Sequence, residues 1–165
     1  MAVIALPARL AALKAVSATV RAHVAAAEAE ARWPVPVLDV LLEQRLFRLW
    51  LPRHAGGDEL DLMDSLALME ASARIDGSFG WTVMIGSGGG LFGAIIEAPT
   101  AHEMLSPREA VIAGSGAPRG RAEAVEGGYR ANGRWAFSSG SDHCSWVLLG
   151  ALVLGDEGRP VDFLT

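Results

Sequence analysis

Leu6, Leu10, Leu13, Val16, Val20 and Val24 recur at spacings of three and four, the rhythm that lines one face of a helix. The pattern predicts one Ala-rich amphipathic helix over 7–32, closed by Trp33-Pro34-Val35-Pro36. A short second helix is expected over 36–45, with proline in its first turn, where a missing N–H costs nothing. An apolar segment, 46–52, leads into the loop 53–58. Asp61 is the expected N-cap of a third helix, because Asp64 lies three residues on and Leu62, Leu66, Met69 and Ala73 repeat at helical spacing. Ser78 is the expected cap of a fourth, which carries Phe79, Trp81, Met84 and Ile85 into Gly86-Ser87-Gly88-Gly89-Gly90. Glycine costs up to about 1 kcal/mol per position in a helix interior. Either the helix stops there, or a neighbouring element or ligand comes close. A fifth helix is expected over 98–105.

Beyond residue 108 the period changes from helical to alternating. Strands are expected at 110–113, 122–125, 129–131, 134–137, 146–154 and 160–164, with a turn through Gly155, Asp156, Glu157 and Gly158. Gly127-Gly128 and Asn132-Gly133 supply the positive φ that two-residue hairpin turns need, so these strands read as a meander. In the strand at 134–137, Trp135 and Phe137 share one face and Ser139 continues it. A small hydroxyl then stands beside an aromatic wall that could line the edge of a flat cofactor. The fold class expected is α+β: an N-terminal all-α domain, 1–108, followed by a partial antiparallel β-barrel-like domain, 109–165. The last strand has no closing element and leaves an open edge.

Composition narrows the function classes. The 165 residues are 51% hydrophobic, yet no run approaches the roughly 18 apolar residues of a spanning helix, so no membrane role is expected. A net charge of −5 argues against a general nucleic-acid binder. Cys144 is the single cysteine, which excludes an intrachain disulfide and fits a reducing, cytoplasmic setting. Arg9, Lys14 and Arg21 precede the first acidic residue, Glu28; a transit peptide could look so, and an amphipathic first helix is the expectation.

Candidate chemistry is sparse. Gly114-Ser115-Gly116-Ala117-Pro118-Arg119-Gly120 is neither a Walker loop nor a dinucleotide fingerprint, since no Lys-Ser or Lys-Thr pair and no helix follow it. It reads as a loop after the first strand that either presents N–H groups to a ligand or is plain surface. His23, His54, His102 and His143 are scattered, so no metal site is expected. His143 and Cys144 are neighbours on the expected meander, and Cys144 reads as a structural residue. Ser138 and Ser139 lack a nucleophile-elbow context; they either hydrogen-bond a ligand or end a strand.

Three blocks in register carry a resemblance. They are Leu46-Phe47-Arg48-Leu49-Trp50-Leu51-Pro52 with Gly56-Gly57; Ala73-Arg74-Ile75-Asp76-Gly77-Ser78-Phe79-Gly80-Trp81; and Gly127-Gly128-Tyr129 through Asn132-Gly133-Arg134-Trp135-Ala136-Phe137-Ser138-Ser139-Gly140 to Asp142-His143-Cys144-Ser145-Trp146. In order and spacing the chain resembles the acyl-CoA dehydrogenase superfamily, and within it the two-component flavin-dependent monooxygenases of the 4-hydroxyphenylacetate and dibenzothiophene types. The resemblance implies a helical domain, a β-barrel-like domain and a C-terminal four-helix bundle, assembled as a homo-oligomer around a flavin, FMN or FAD. It places Ser139 as the catalytic residue near flavin N5 and C4a. Trp135, Phe137 and Ser138 become part of the cofactor wall, Gly114, Ser115 and Gly116 flank the ring's pyrimidine side, and Trp81 faces the substrate.

Departures accompany the likeness. Monooxygenase relatives often carry a histidine about two turns after the Trp81 position, where this chain has Gly88-Gly89-Gly90. A second histidine, and the dehydrogenase glutamate, belong to the bundle, which is expected to be absent from this chain. Dehydrogenases carry a Thr-Glu-Pro loop ending Gly-Ser-Asp, where this chain reads Ala113-Gly114-Ser115-Gly116-Ala117. The implied function is the oxygenase component of a flavin monooxygenase, supplied by a flavin reductase and acting on an aromatic or heteroaromatic small molecule. An FAD-dependent acyl-CoA dehydrogenase, or a catalytically incomplete relative acting as an interaction module beside a partner that supplies the bundle, are the alternatives.

Overall fold

A computed structural model describes residues 4–155 and 159–164. The chain divides into two compact units, Met1–Val111 and Ile112–Thr165. The first is helical: α1 (Leu6–Glu30), α2 (Val35–Glu43), α3 (Leu62–Ile75), α4 (Gly77–Gly90) and α5 (Ala98–Leu105), with 3-10 turns at Arg53–Ala55 and Leu91–Ala94. Helix α1 stops where Ala31 turns left-handed at φ 53. The Asp61 carboxylate accepts the Asp64 N–H at 2.9 Å and starts α3. The cap of α4 is Asp76 rather than Ser78. Its extended backbone aims the carboxylate at the Phe79 N–H, 3.0 Å away, while Ser78 already lies inside the helix.

The glycine run does not end α4, which stays helical to Gly90. A Cβ on Gly86 would overlap the Phe47 ring, and one on Gly90 would stand 3.1 Å from the Leu51 backbone nitrogen. The apolar segment before the loop thus lies against the helix, and side chains at these two positions would hold it off. At Gly88 nothing stands within 4 Å. Leu13, Val20, Val37, Leu41, Leu46, Leu49, Leu68, Phe79 and Val83 form the buried core. Trp33 meets Phe79 edge-on at 6.0 Å and donates its indole N–H to Thr82 Oγ1 at 2.9 Å.

The second unit is a four-stranded sheet ordered β2-β1-β3-β4, from β1 (Ile112–Val125), β2 (Gly128–Asn132), β3 (Trp146–Leu154) and β4 (Pro160–Leu164). The class is α+β as expected, but the sheet is open and mixed. The pairs β1–β2 and β3–β4 are antiparallel, whereas β1 and β3 run parallel, from Ile112↔Trp146 to Glu123↔Leu154. The strands expected at 110–113 and 122–125 are one strand, whose register with β3 slips between Ser115 and Pro118 and again before Gly120. Pro118 has no N–H to give the ladder. No strand forms at 134–137: β2 ends at Asn132, and turns carry the chain to β3. The Asn132-Gly133 pair therefore closes β2 without starting a second hairpin. The expected turn through Asp156, Glu157 and Gly158 lies outside the described residues.

Candidate functional site

The segment 133–145 links β2, on one side of β1, to β3 on the other, so it must cross β1. Gly120 makes that possible. A Cβ there would overlap the Trp135 ring, which lies on the backbone of Gly120 and beside Gly133. The Trp135 indole donates its N–H to the Gly150 carbonyl of β3 at 2.6 Å. Trp135 is thus an anchor that fixes the crossing segment to both central strands. At the other end of the crossing, Gly140 takes φ 83, and a Cβ there would stand 2.9 Å from Ala113 Cβ.

Between these anchors the chain turns tightly. Phe137 adopts φ 59, a left-handed conformation uncommon for an aromatic residue, and its side chain is 95% exposed. The Ser139 N–H donates to the Phe137 carbonyl at 2.8 Å, and the Ser138 hydroxyl donates to the Trp135 carbonyl at 3.1 Å. Trp135 and Phe137 therefore do not share a strand face with Ser139: the left-handed turn separates them. What the turn presents is an exposed ring followed, two residues on, by the half-buried Ser139.

Gly114, Ser115 and Gly116 lie within β1 and not in a loop. Gly114 has φ 133, and a side chain there would overlap the Leu148 carbonyl of β3. The close pairing of two parallel strands accounts for this glycine without a ligand. The fold nevertheless brings the two segments together, because Gly140 packs on Ala113, the residue before Gly114.

His143 and Cys144 sit in the turns before β3, not on a strand. His143 Nδ1 is 3.1 Å from the Asp142 carboxylate, with the imidazole largely buried. Cys144 is half-buried, its thiol facing the Ser141 carbonyl at 3.7 Å, and burial pushes that thiol up from its ordinary value. A raised thiol is a poor nucleophile at neutral pH. The Asp142–His143 contact was not anticipated; only adjacency in the chain signals it. Among the described residues no group of three or more His, Cys, Asp or Glu could hold a metal ion. Nor is any described helix long and apolar enough to cross a membrane.

In the helical unit, Trp81 on α4 is 52% exposed. It lines an open groove of about 650 Å³ between α3 and α4 with Met63, Leu66, Ala73, Gly80 and Met84. Apart from Glu70, that lining is apolar and aromatic, as small-molecule sites usually are.

Residues 8–103 match the family model described as "Acyl-CoA dehydrogenase, N-terminal domain". The chain belongs to this family. Across 154 residues this family member is 34% identical to the oxygenase subunit HsaA of a flavin-dependent monooxygenase from Rhodococcus jostii (strain RHA1), covering 93% of the chain and 40% of that protein. The crystal structure of the HsaA monooxygenase from M. tuberculosis superposes with a TM-score of 0.84 at 32% identity, over 97% of this chain and 42% of that one. A third relative is the oxygenase component of an FADH(2)-dependent resorcinol hydroxylase from Rhizobium sp. (strain MTP-10005), 32% identical over 70% of this chain and 29% of its own length. The chain thus spans about 40% of the HsaA relatives it matches. Its acyl-CoA dehydrogenase-type helical unit and the sheet that follows both fall inside the similarity to HsaA.

Proposed function

We propose that this chain carries the helical and β portions of the oxygenase component of a two-component flavin monooxygenase acting on an aromatic or heteroaromatic small molecule. The observation that supports it most is the 34% identity, sustained over 93% of the chain, to an oxygenase subunit that is flavin-dependent by name. The crossing segment supplies groups that fit a flat, polar-edged ring. Phe137 offers an exposed aromatic face, Ser139 a half-buried hydroxyl, and Gly140 a backbone free of a side chain. Trp135 holds the segment in place through Gly150.

In this reading the flavin, FMN or FAD, supplies the oxygen-activating chemistry when bound. Ser139 is the residue that hydrogen-bonds the ring's reactive edge, with Ser138, Phe137 and Gly114 to Gly116 around it. Trp81, with Met63, Leu66 and Met84, forms an apolar shelf for the substrate. A separate reductase delivers the reduced flavin, and the protein works in the cytoplasm as a homo-oligomer. Acyl-CoA dehydrogenation is the competing reading, favoured by the family model that residues 8–103 match.

The test is an anaerobic titration of the 165-residue chain with reduced FMN and with FADH2, followed by absorbance and fluorescence. A saturable spectral change that Ser139→Ala weakens supports the proposal. No change with either flavin sinks it. Bleaching of added FAD by an acyl-CoA without oxygen would instead favour the dehydrogenase reading.

A further inference from the structure

The helical unit holds a second cavity, of about 550 Å³, lined by Leu42, Glu43, Arg45, Arg48, Gly56, Ser106 and Arg108. Its floor is Arg48, whose side chain is only 4% exposed. The guanidinium donates to the carbonyls of Gly56 (3.3 Å), Leu105 (3.0 Å) and Pro107. Among the described residues no carboxylate stands within ion-pair distance of it. The nearby carboxylate, Asp58, is already shared: it pairs with Arg9 at 2.5 Å and with Arg45 at 2.7 Å. Arg108 stands at the rim, over half exposed, with Glu43 no nearer than 4.0 Å.

Of the four guanidiniums gathered here, Arg9 and Arg45 share Asp58 and Arg108 lies 4.0 Å from Glu43, while Asp58 and Glu109 act on Arg48 only at longer range. Burial, and after it the neighbouring Arg45 charge, lower the Arg48 pKa. A cation held among cations and carbonyls is a costly arrangement unless something anionic offsets it. Overall the chain carries a net charge of −5, so this positive concentration is local. Arg45 uses Nε and Nη2 on Asp58 and Gly56. Its remaining Nη1, the Arg108 fork and the Ser106 hydroxyl complete a set of donors of the kind that takes tetrahedral oxyanions.

We propose that this pocket is an anion site built to take a phosphate group, with Arg108 and Arg45 as its direct donors and Arg48 supplying charge from the floor. A phosphomonoester carries close to two negative charges at neutral pH, which suits a pocket whose cations outnumber its carboxylates. The cavity is roomy enough for more than the phosphate itself. The proposal is independent of flavin binding by the sheet unit, since every lining residue belongs to the helical one.

The experiment follows the side-chain ¹H–¹⁵N resonances of the arginines in the full chain as inorganic phosphate is added at constant ionic strength. Arg45, Arg48 and Arg108 should shift together and saturate. Arg108→Ala should weaken binding about tenfold, the worth of one charge-assisted hydrogen bond, and Arg108→Lys should recover part of it. Glu43→Gln should tighten binding, because it removes the opposing charge. Adenosine monophosphate, with adenosine as control, separates the sources. Tighter binding than inorganic phosphate points to a phosphoester ligand, and equal binding to free phosphate. Absence of saturable shifts, or binding indifferent to both Arg108→Ala and Glu43→Gln, overturns the proposal.

Discussion

Asp58 is 7% exposed and bridges two guanidiniums, Arg9 at 2.5 Å and Arg45 at 2.7 Å, while its own N–H donates to the Arg48 carbonyl. Replacing the carboxylate by an amide leaves one shape and removes the close counter-charge that both arginines share. Asp58→Asn is therefore expected to destabilise the chain by about 3–5 kcal/mol, read as a lowered urea midpoint at unchanged slope. A loss below about 1 kcal/mol would mean that water already screens the cluster. Ser139 makes the opposite case. Its proposed role on the crossing segment is to meet a ligand, so Ser139→Ala is expected to weaken reduced-flavin binding about fivefold to tenfold while costing under about 1 kcal/mol in stability. Equal affinity of the variant and the parent chain would remove Ser139 from the site. Neither role is visible in the residue alone. Asp58 looks like an ordinary loop acid until Arg9, 49 positions away, reaches it.

Helix α4 gives a sign test at the scale of one element. Gly86 and Gly88 are both helical, and glycine there disfavours the helix by the same entropic amount. Their surroundings differ: a Cβ at Gly86 overlaps the Phe47 ring, whereas at Gly88 it meets nothing within 4 Å. Gly88→Ala should stabilise by about 0.5–1 kcal/mol, and Gly86→Ala should destabilise by about 1–3 kcal/mol as Phe47 is displaced. Thermal midpoints moving in the same direction for both would show that packing does not decide the run. The five helices were legible because apolar period and caps are local: Asp61 and residues 98–105 fall where the pattern puts them. The sheet was legible only in outline. Parallel pairing of β1 with β3 depends on residues over 30 positions apart (Ile112 with Trp146), and nothing near either strand announces it. Trp135 was misread for a related reason. Its alternation with Phe137 imitates a strand, and only the glycines at 120 and 150, distant in sequence, reveal that the indole lies across the sheet.

For the whole molecule, the two units differ in what each can bury by itself. The helical unit encloses Phe79, six leucines and three valines within the large, tightly buried set, and a short buried polar network around Asp58. Among the described residues of the sheet unit the buried apolar ones are Ile112, Ala113, Ala122, Ala151 and Val153, three of them alanines. Small domains are marginal because they bury a small fraction of their surface, and alanine adds little per residue. The expectation is that residues 1–111 expressed alone give a helical circular-dichroism spectrum and one cooperative thermal transition, while residues 112–165 alone give none. A flavin or another ligand that binds only the folded sheet would stabilise it in proportion to the logarithm of its concentration. Repeating the measurement on 112–165 with saturating reduced flavin therefore asks two things at once. Recovery of a cooperative transition would place the flavin contacts within the sheet unit. A transition already present without ligand would show that a core of alanines and close-paired glycines suffices, and that the crossing segment with its Trp135 anchor contributes more to the fold than buried area suggests.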